Sequence, residues 1–304
     1  MLTKFFESTG EGFSQRYIDQ LFGPAFLFWG GGALILAGRY GFGDIWNWLT
    51  ALTVSEQTAL VILGLLTLTL SSMFMRHLRI FFLRFLEGYW PWPLRGLSAW
   101  ISRRQGEHLT KRRIEWNQLL DKRDTRKLTA LERRRLSDLE VEGHYAPANV
   151  DDCLSTVLGN ALRAAETATR HRYGLDAVAA WTHLWLILPE DVQNELNAAR
   201  TQLDMLMELW GWGLLFILWS AWWPWAALIS LAWITLTYNF AVRAGRTFAD
   251  LLLAAVALHR FALYESLNWP RPKNSAEEKM MGEQLTEFLW RGIMPGKIIF
   301  RKDD

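Results

Sequence analysis

Between Glu208 and Arg243 the chain runs for 34 residues without a formal charge, and Pro224 stands almost at the centre of that block. A straight helix of that length would extend ~50 Å, against ~30 Å of bilayer hydrocarbon. The block is therefore either one over-long span or two short spans that meet at the proline. The tryptophans choose between them. Trp219, Trp222, Trp223 and Trp225 crowd around Pro224, and tryptophan concentrates where membrane meets water, not at the midplane. The expectation is a helical hairpin, about 209–223 and 225–242, with its turn at an interface.

Two further blocks, about 21–40, charged only at Arg39 beside its end, and about 58–75, without charge, are near the length a bilayer requires. Lys and Arg placement orients all four. The link 41–57 carries Asp44 and Glu56 but no Lys or Arg, and the Trp222–Trp225 turn has no basic residue. Arg76, Arg79 and Arg84 follow the second block, and Arg243 and Arg246 follow the last. Both chain ends are expected on the cytoplasmic side, with two outward hairpin tips carrying Trp46, Trp48, Trp222, Trp223 and Trp225. The first 20 residues hold Lys4, Glu7, Glu11, Arg16 and Asp19, with no small-residue cleavage site after a basic start. They are not read as a cleavable signal peptide.

With 18 Trp and 51% hydrophobic residues, the 304-residue chain is a poor candidate for two soluble domains. Its net charge of +2 conceals strong segregation along the sequence. The fold class expected is all-α: a polytopic membrane protein with four transmembrane helices in two hairpins and a helical cytosolic domain between them. Residues 1–97 hold the first hairpin and an interfacial elbow, because residues 76–100 are apolar and aromatic with spaced arginines, and Pro91 and Pro93 end any helix there. Prolongation of the second span is the alternative for that stretch. Residues 98–189 form the charged cytosolic domain. Residues 190–245 form a stalk helix continuing into the second hairpin, and 246–304 an amphipathic helix to about Leu267 and a tail with a short helix, about 275–290.

Ser98–Glu142 contains 12 Lys or Arg and 8 Asp or Glu, patterned as helices of about 106–122 and 129–142. Thr129 with Glu132 reads as a capping box. The segment is taken as a solvated helical hairpin near anionic headgroups. It lacks a recognition fold, so nucleic acid is not an expected partner. Asp151 and Asp152 suit the start of a helix to Tyr173. That helix offers a cytosolic polar face of Asn160, Arg163, Glu166 and Arg170, with Glu166 in reach of both arginines. Gly174 fits a left-handed cap. Ala177–Leu188, with Trp181, His183 and Trp185, is too short to span, and is a core or an interfacial helix.

The stretch LGNALRAAETATRHRYGLDAVAAWTHLWLILPEDV, Leu158–Val192, resembles a segment of uncharacterised multi-pass inner-membrane proteins of bacteria, with a weaker echo in ALYESLNWPRP at Ala262–Pro272. The resemblance implies a bacterial inner (plasma) membrane setting and carries no activity.

From Pro189 a helix start is well formed, and apolar positions recur at Val192, Leu196, Ala199, Leu203, Leu206 and Trp210, a heptad-like seam. Two readings stand: burial inside a bundle of the same chain, or a coupling helix that pairs subunits or carries a cytosolic event into the membrane. Gly30, Gly31, Gly32, Ala33 and Ala37 give the first span a small-residue face for close helix packing, within or between subunits.

Catalytic chemistry is not spelled out. Apart from Arg39 beside the end of the first, no Asp, Glu, Lys, Arg or His lies inside a span, where one would mark a relay or substrate site. The six histidines are scattered, the single Cys153 excludes a CxxC site, and no phosphate or dinucleotide loop appears. No catalytic residue, cofactor or metal is expected, and the chain is not read as an enzyme. Two function classes follow: an oligomeric channel or membrane effector controlled by its cytosolic domain, or a non-catalytic scaffold or signalling subunit docking a cytosolic partner. A lipid-headgroup enzyme is a third class, needing acids near Trp90–Trp100 or Asp151–Asp152 to converge. The expected partners are the lipid bilayer, further copies of the chain and a cytosolic protein.

Overall fold

A computed structural model describes residues 23–292, and every regular element among them is helical. The expectations about the first 20 residues, and about Leu21 and Phe22, lie outside the described residues. In chain order the helices are α1 (Pro24–Tyr40), α2 (Phe42–Ala51), α3 (Val54–Glu87), α4 (Arg95–Thr125), α5 (Ala130–His144), α6 (Val157–Tyr173), α7 (Ala177–Ile187), α8 (Glu190–Leu215), α9 (Trp225–Ser266) and α10 (Ser275–Arg291). Short 3₁₀ turns occupy Trp92–Leu94, Val150–Asp152 and Phe216–Ala221. Three stretches, the ones containing α3, α8 and α9, are long and apolar enough to cross a membrane.

Several elements differ from the sequence reading. The second apolar helix does not stop near Met75 but runs to Glu87, because its arginines alternate with Ile80, Phe81, Phe82 and Leu83 and nothing breaks the backbone before Gly88. The elbow expected from Arg76 onward thus shrinks to Gly88–Leu94. The link 41–57 contains α2. The charged hairpin's first helix begins at Arg95, not near 106, and no break separates the last apolar segment from the expected 246–267 helix, which together make the 42-residue α9. The capping box at Thr129 and Glu132 and the left-handed Gly174 cap are as expected.

The chain divides into two units, residues 23–83 with Asp204–Phe240, and Arg84–Leu203 with 241–292. The boundary falls inside α3, α8 and α9.

In the first unit the chain reverses at Trp222–Pro224, and the two limbs pack against each other. The Ser230 hydroxyl donates to the Gly213 carbonyl at 2.7 Å, and the Phe216 and Trp233 rings lie 6.0 Å apart. Here α1 joins through aromatic contacts: Phe28 sits 5.2 Å from Trp212 and 5.7 Å from Trp219. The Trp29 indole donates to Ser71 at 3.2 Å. Leu34, Leu63, Leu70, Phe74, Leu231 and Leu236 are all more than half exposed, large apolar side chains that soluble monomers seldom leave open in such number.

The second unit has its main core where α7, α8, α9 and α10 meet, around Leu184, Leu196, Val256, Leu263, Trp269 and Leu285. Arg260 and Glu278, 2.6 Å apart, tie α9 to α10 at the edge of that core. The α4–α5 hairpin has its own small core of Leu119, Leu136 and Leu139, flanked by a two-pronged Arg135–Glu115 pair at 2.8 Å.

Candidate functional site

Within the second unit, the C-terminus of α3 is built into the helical domain. Gly88 has φ +105°, and its N–H reaches the Phe85 carbonyl at 3.1 Å while Tyr89 N–H reaches Arg84 at 2.9 Å. That pair of bonds is a Schellman cap, which glycine adopts without steric cost. The Leu86 and Gly88 carbonyls are met by hydroxyls. Thr156 donates to Leu86 at 2.6 Å, and Ser98 and Ser155 donate to Gly88 at 3.0 and 3.4 Å. The Trp90 indole donates to Phe85 at 2.9 Å and stacks on its ring.

Thr156 has a second duty. Its hydroxyl oxygen accepts the Gly159 N–H at 3.0 Å, so it is also the N-cap of α6. The expected helix start at Asp151 and Asp152 is corrected: they belong to a 3₁₀ turn, and α6 begins only at Val157, after the threonine that can cap it. Gly159 then faces the Glu87 carbonyl so closely that a Cβ there would collide with it. The start of one helix therefore abuts the end of another, with one hydroxyl serving both.

The expected polar face separates into parts. Asn160 is 5% exposed. Its amide holds the loop in place, accepting from Leu154 N–H at 2.6 Å and donating to Gln105 at 2.8 Å and to the Leu154 carbonyl at 3.1 Å. Arg163 lies 3.3 Å from both Asp152 and Glu166. Arg170 is exposed and takes no part in that pair, contrary to the reach expected of Glu166. Asn160, Arg163 and Glu166 thus sit beside the α3 terminus, and Arg170 does not.

Glu87, the last residue of α3, is half-buried among these charges. Burial pushes its carboxyl up to about 7, the nearby Glu166 carboxylate adds to the rise, and Arg200 and Arg84 oppose it. The negative end of the helix dipole disfavours an anion at this position in the same sense. Burial likewise raises Tyr89. Cys153 is buried nearby and its thiol is pushed up by that burial, the opposite of what a nucleophile needs. Among the described residues no three of His, Cys, Asp and Glu gather as metal ligands.

A second contact ties α5 to α9 in the same unit. His144 Nε2 lies 2.9 Å from Asp250, and the Tyr145 hydroxyl donates to the same carboxylate at 2.7 Å. The Arg246 guanidinium covers the Tyr145 ring at 4.8 Å.

The seam on α8 is used within the chain. Leu196, Ala199 and Leu203 are buried in the second unit, with Val192 packed on its core. In the first unit Trp210 is buried against Phe82, and Leu206 is half-buried. The small-residue face of α1 is divided. Gly31 and Gly32 lie against Phe216 and Trp219, and Ala37 is buried; Ala33 is exposed, and Gly30 joins it along a shallow apolar groove.

Sequence reasoning missed Glu87, Gly88, Ser98, Ser155, Thr156 and Gly159. The usable signal was local: a glycine after an apolar helix, and Ser155–Thr156 ahead of one. No protein-family model, curated protein or solved structure matches this chain.

Proposed function

We propose that this chain is an integral inner-membrane protein acting as a channel or membrane effector, in a homo-oligomer, controlled by its cytosolic helical domain. It spans four times, through α1, the apolar part of α3 (about 58–75), and the two limbs that meet at Pro224. Both ends lie in the cytoplasm, and the setting is bacterial. It works without a catalytic centre. The observation that carries the reading is the Thr156 joint. A helix long and apolar enough to cross a membrane ends on three hydroxyls and a glycine of a folded polar domain. A movement of α6 is thereby transmitted to α3 as a pull on its end, since hydrogen-bonded, closely packed backbone does not yield gradually.

Reconstituted in proteoliposomes, the protein is expected to conduct ions; vesicles that stay tight under every condition tried would remove the channel form. Cysteine labels at Trp48 and Pro224 are expected to react from outside, and one at Leu131 only after permeabilisation.

A scaffold that docks a cytosolic protein is the second reading. It is favoured by the exposed Trp92, Leu97 and Trp100 on the second unit, side chains that a partner would cover. A stoichiometric partner retained through purification would support it, and a clean homo-oligomer would count against it.

A further inference from the structure

The α4–α5 hairpin of the second unit holds a groove of about 450 Å³, within the size range of small-molecule sites. Leu109 and Trp116 of α4 and Leu139 of α5 supply its apolar walls. The chain's own bonds tie those walls together. Arg112 of α4 pairs with Glu142 of α5 at 3.1 Å, and Arg113 donates to the Pro147 carbonyl at 2.6 Å.

The charges in the lining balance. Arg112 and Arg113 stand against Glu140 and Glu142, so the groove as a whole favours neither an anion nor a cation. Trp116 adds an unmet donor. Its ring packs on the hairpin core of Leu119, Leu136 and Leu139, and its indole N–H is buried with no acceptor among the described residues. An indole nitrogen can only donate, and a buried donor without a partner is costly. Gly143, also in the lining, leaves room, since a Cβ there would meet nothing within 4 Å.

Apolar walls ask for an apolar body, balanced charges for an uncharged one, and the indole for one hydrogen-bond acceptor. A carbonyl oxygen accepts without bringing a charge, or a donor that would need its own partner. We propose that the groove between α4 and α5 binds a small uncharged carbonyl compound of the ketone, ester or lactone class. Its oxygen accepts from the Trp116 indole, and its apolar body lies against Leu109 and Leu139. The site lies wholly within the second unit, so it holds whether or not the chain conducts ions.

Benzophenone is the probe, because it is an uncharged diaryl ketone that photolabels what it touches. The full chain in detergent is irradiated with it and digested, and the labelled peptides are read by mass spectrometry. Saturable labelling is expected in peptides holding residues 109–117 or 139–146. At equal free concentration, acetophenone should compete about fivefold better than ethylbenzene, which lacks the acceptor, or benzoate, which carries a charge. Trp116→Phe keeps a ring and removes the donor. It should weaken the labelling about fivefold, the equivalent of one hydrogen bond of ~1 kcal/mol. Gly143→Ala should keep the labelling, and Gly143→Leu, which fills the groove, should abolish it. Thermal unfolding reads the fold of each variant, and if Gly143→Leu does not fold, Trp116→Phe decides alone. Labelling of these peptides that never saturates would overturn the site, as would labelling unchanged in the folded variants. Ethylbenzene or benzoate competing as well as acetophenone would overturn the assigned chemistry.

Discussion

Thr156 donates its hydroxyl proton to the Leu86 carbonyl at 2.6 Å while the same oxygen accepts the Gly159 N–H at 3.0 Å. One side chain thereby finishes a 34-residue apolar helix and starts a 17-residue polar one. Each helix end leaves backbone groups that its own ladder cannot satisfy, and a hydroxyl is the smallest group able to serve a carbonyl and an N–H at once.

Replacing Thr156 by Val removes both bonds and keeps the volume. The expected loss is ~1–2 kcal/mol, the cost of a helix N-cap plus an unmet carbonyl. Thermal unfolding in detergent should fall accordingly, with Thr156→Ser close to wild type. A valine variant as stable as wild type would mean that the joint holds nothing.

Gly159→Ala tests the close approach. The added methyl meets the Glu87 carbonyl, so α6 and the end of α3 must separate. Overpacking of this kind costs ~1–3 kcal/mol. Gly143→Ala, with open space around it in α5, is the control and should unfold like wild type or slightly later.

Glu87 makes a pH prediction with a definite sign. Its carboxyl titrates near 7 in the folded protein, against an ordinary value of 4.5. A raised acid stabilises the fold fully below the ordinary value and loses that contribution as pH rises toward 7. After discounting for partial exposure, the contribution is ~1–2 kcal/mol. The wild type should therefore unfold more easily at pH 8 than at pH 5, and Glu87→Gln should flatten that difference. Equal pH slopes for both proteins would rule Glu87 out as the source.

The two sides of α1 should respond differently to bulk. Gly32→Leu drives a side chain into Trp219 and should lower stability by ~2 kcal/mol or more. Gly30→Leu projects along the shallow groove and should leave the fold intact. If Gly30→Leu instead disperses an oligomer seen by size-exclusion light scattering, the groove is where copies meet.

Much of this architecture was legible because uncharged and charged stretches separate sharply along the chain. The uncharged block and Pro224 pointed to the hairpin that Gly213, Ser230 and Trp233 close. Thr129, Glu132 and Gly174 carried their caps in plain sequence. The joint was not legible for a physical reason. Leu86 and Thr156 are 70 residues apart, and glycine and hydroxyl residues leave no hydrophobic period to read. Arg76, Arg79 and Arg84 misled in another way. They marked the end of an apolar block correctly, but a change of surroundings does not end a helix. With aliphatic and aromatic residues on its other positions, α3 continued to the first glycine. The α8 seam was legible as a pattern and ambiguous in partner, since a buried stripe looks the same whether one chain or two cover it.

The central claim is that the helical domain acts on the spans through the Thr156 joint. Ion flux through proteoliposomes holding equal amounts of wild type, Thr156→Val and Thr156→Ser measures it most directly. The account predicts that wild type and Thr156→Ser conduct alike, while Thr156→Val differs from them by about fivefold or more, the effect of ~1 kcal/mol on a two-state equilibrium. Identical flux in all three, with the valine variant membrane-integrated and its stability lowered, would contradict it.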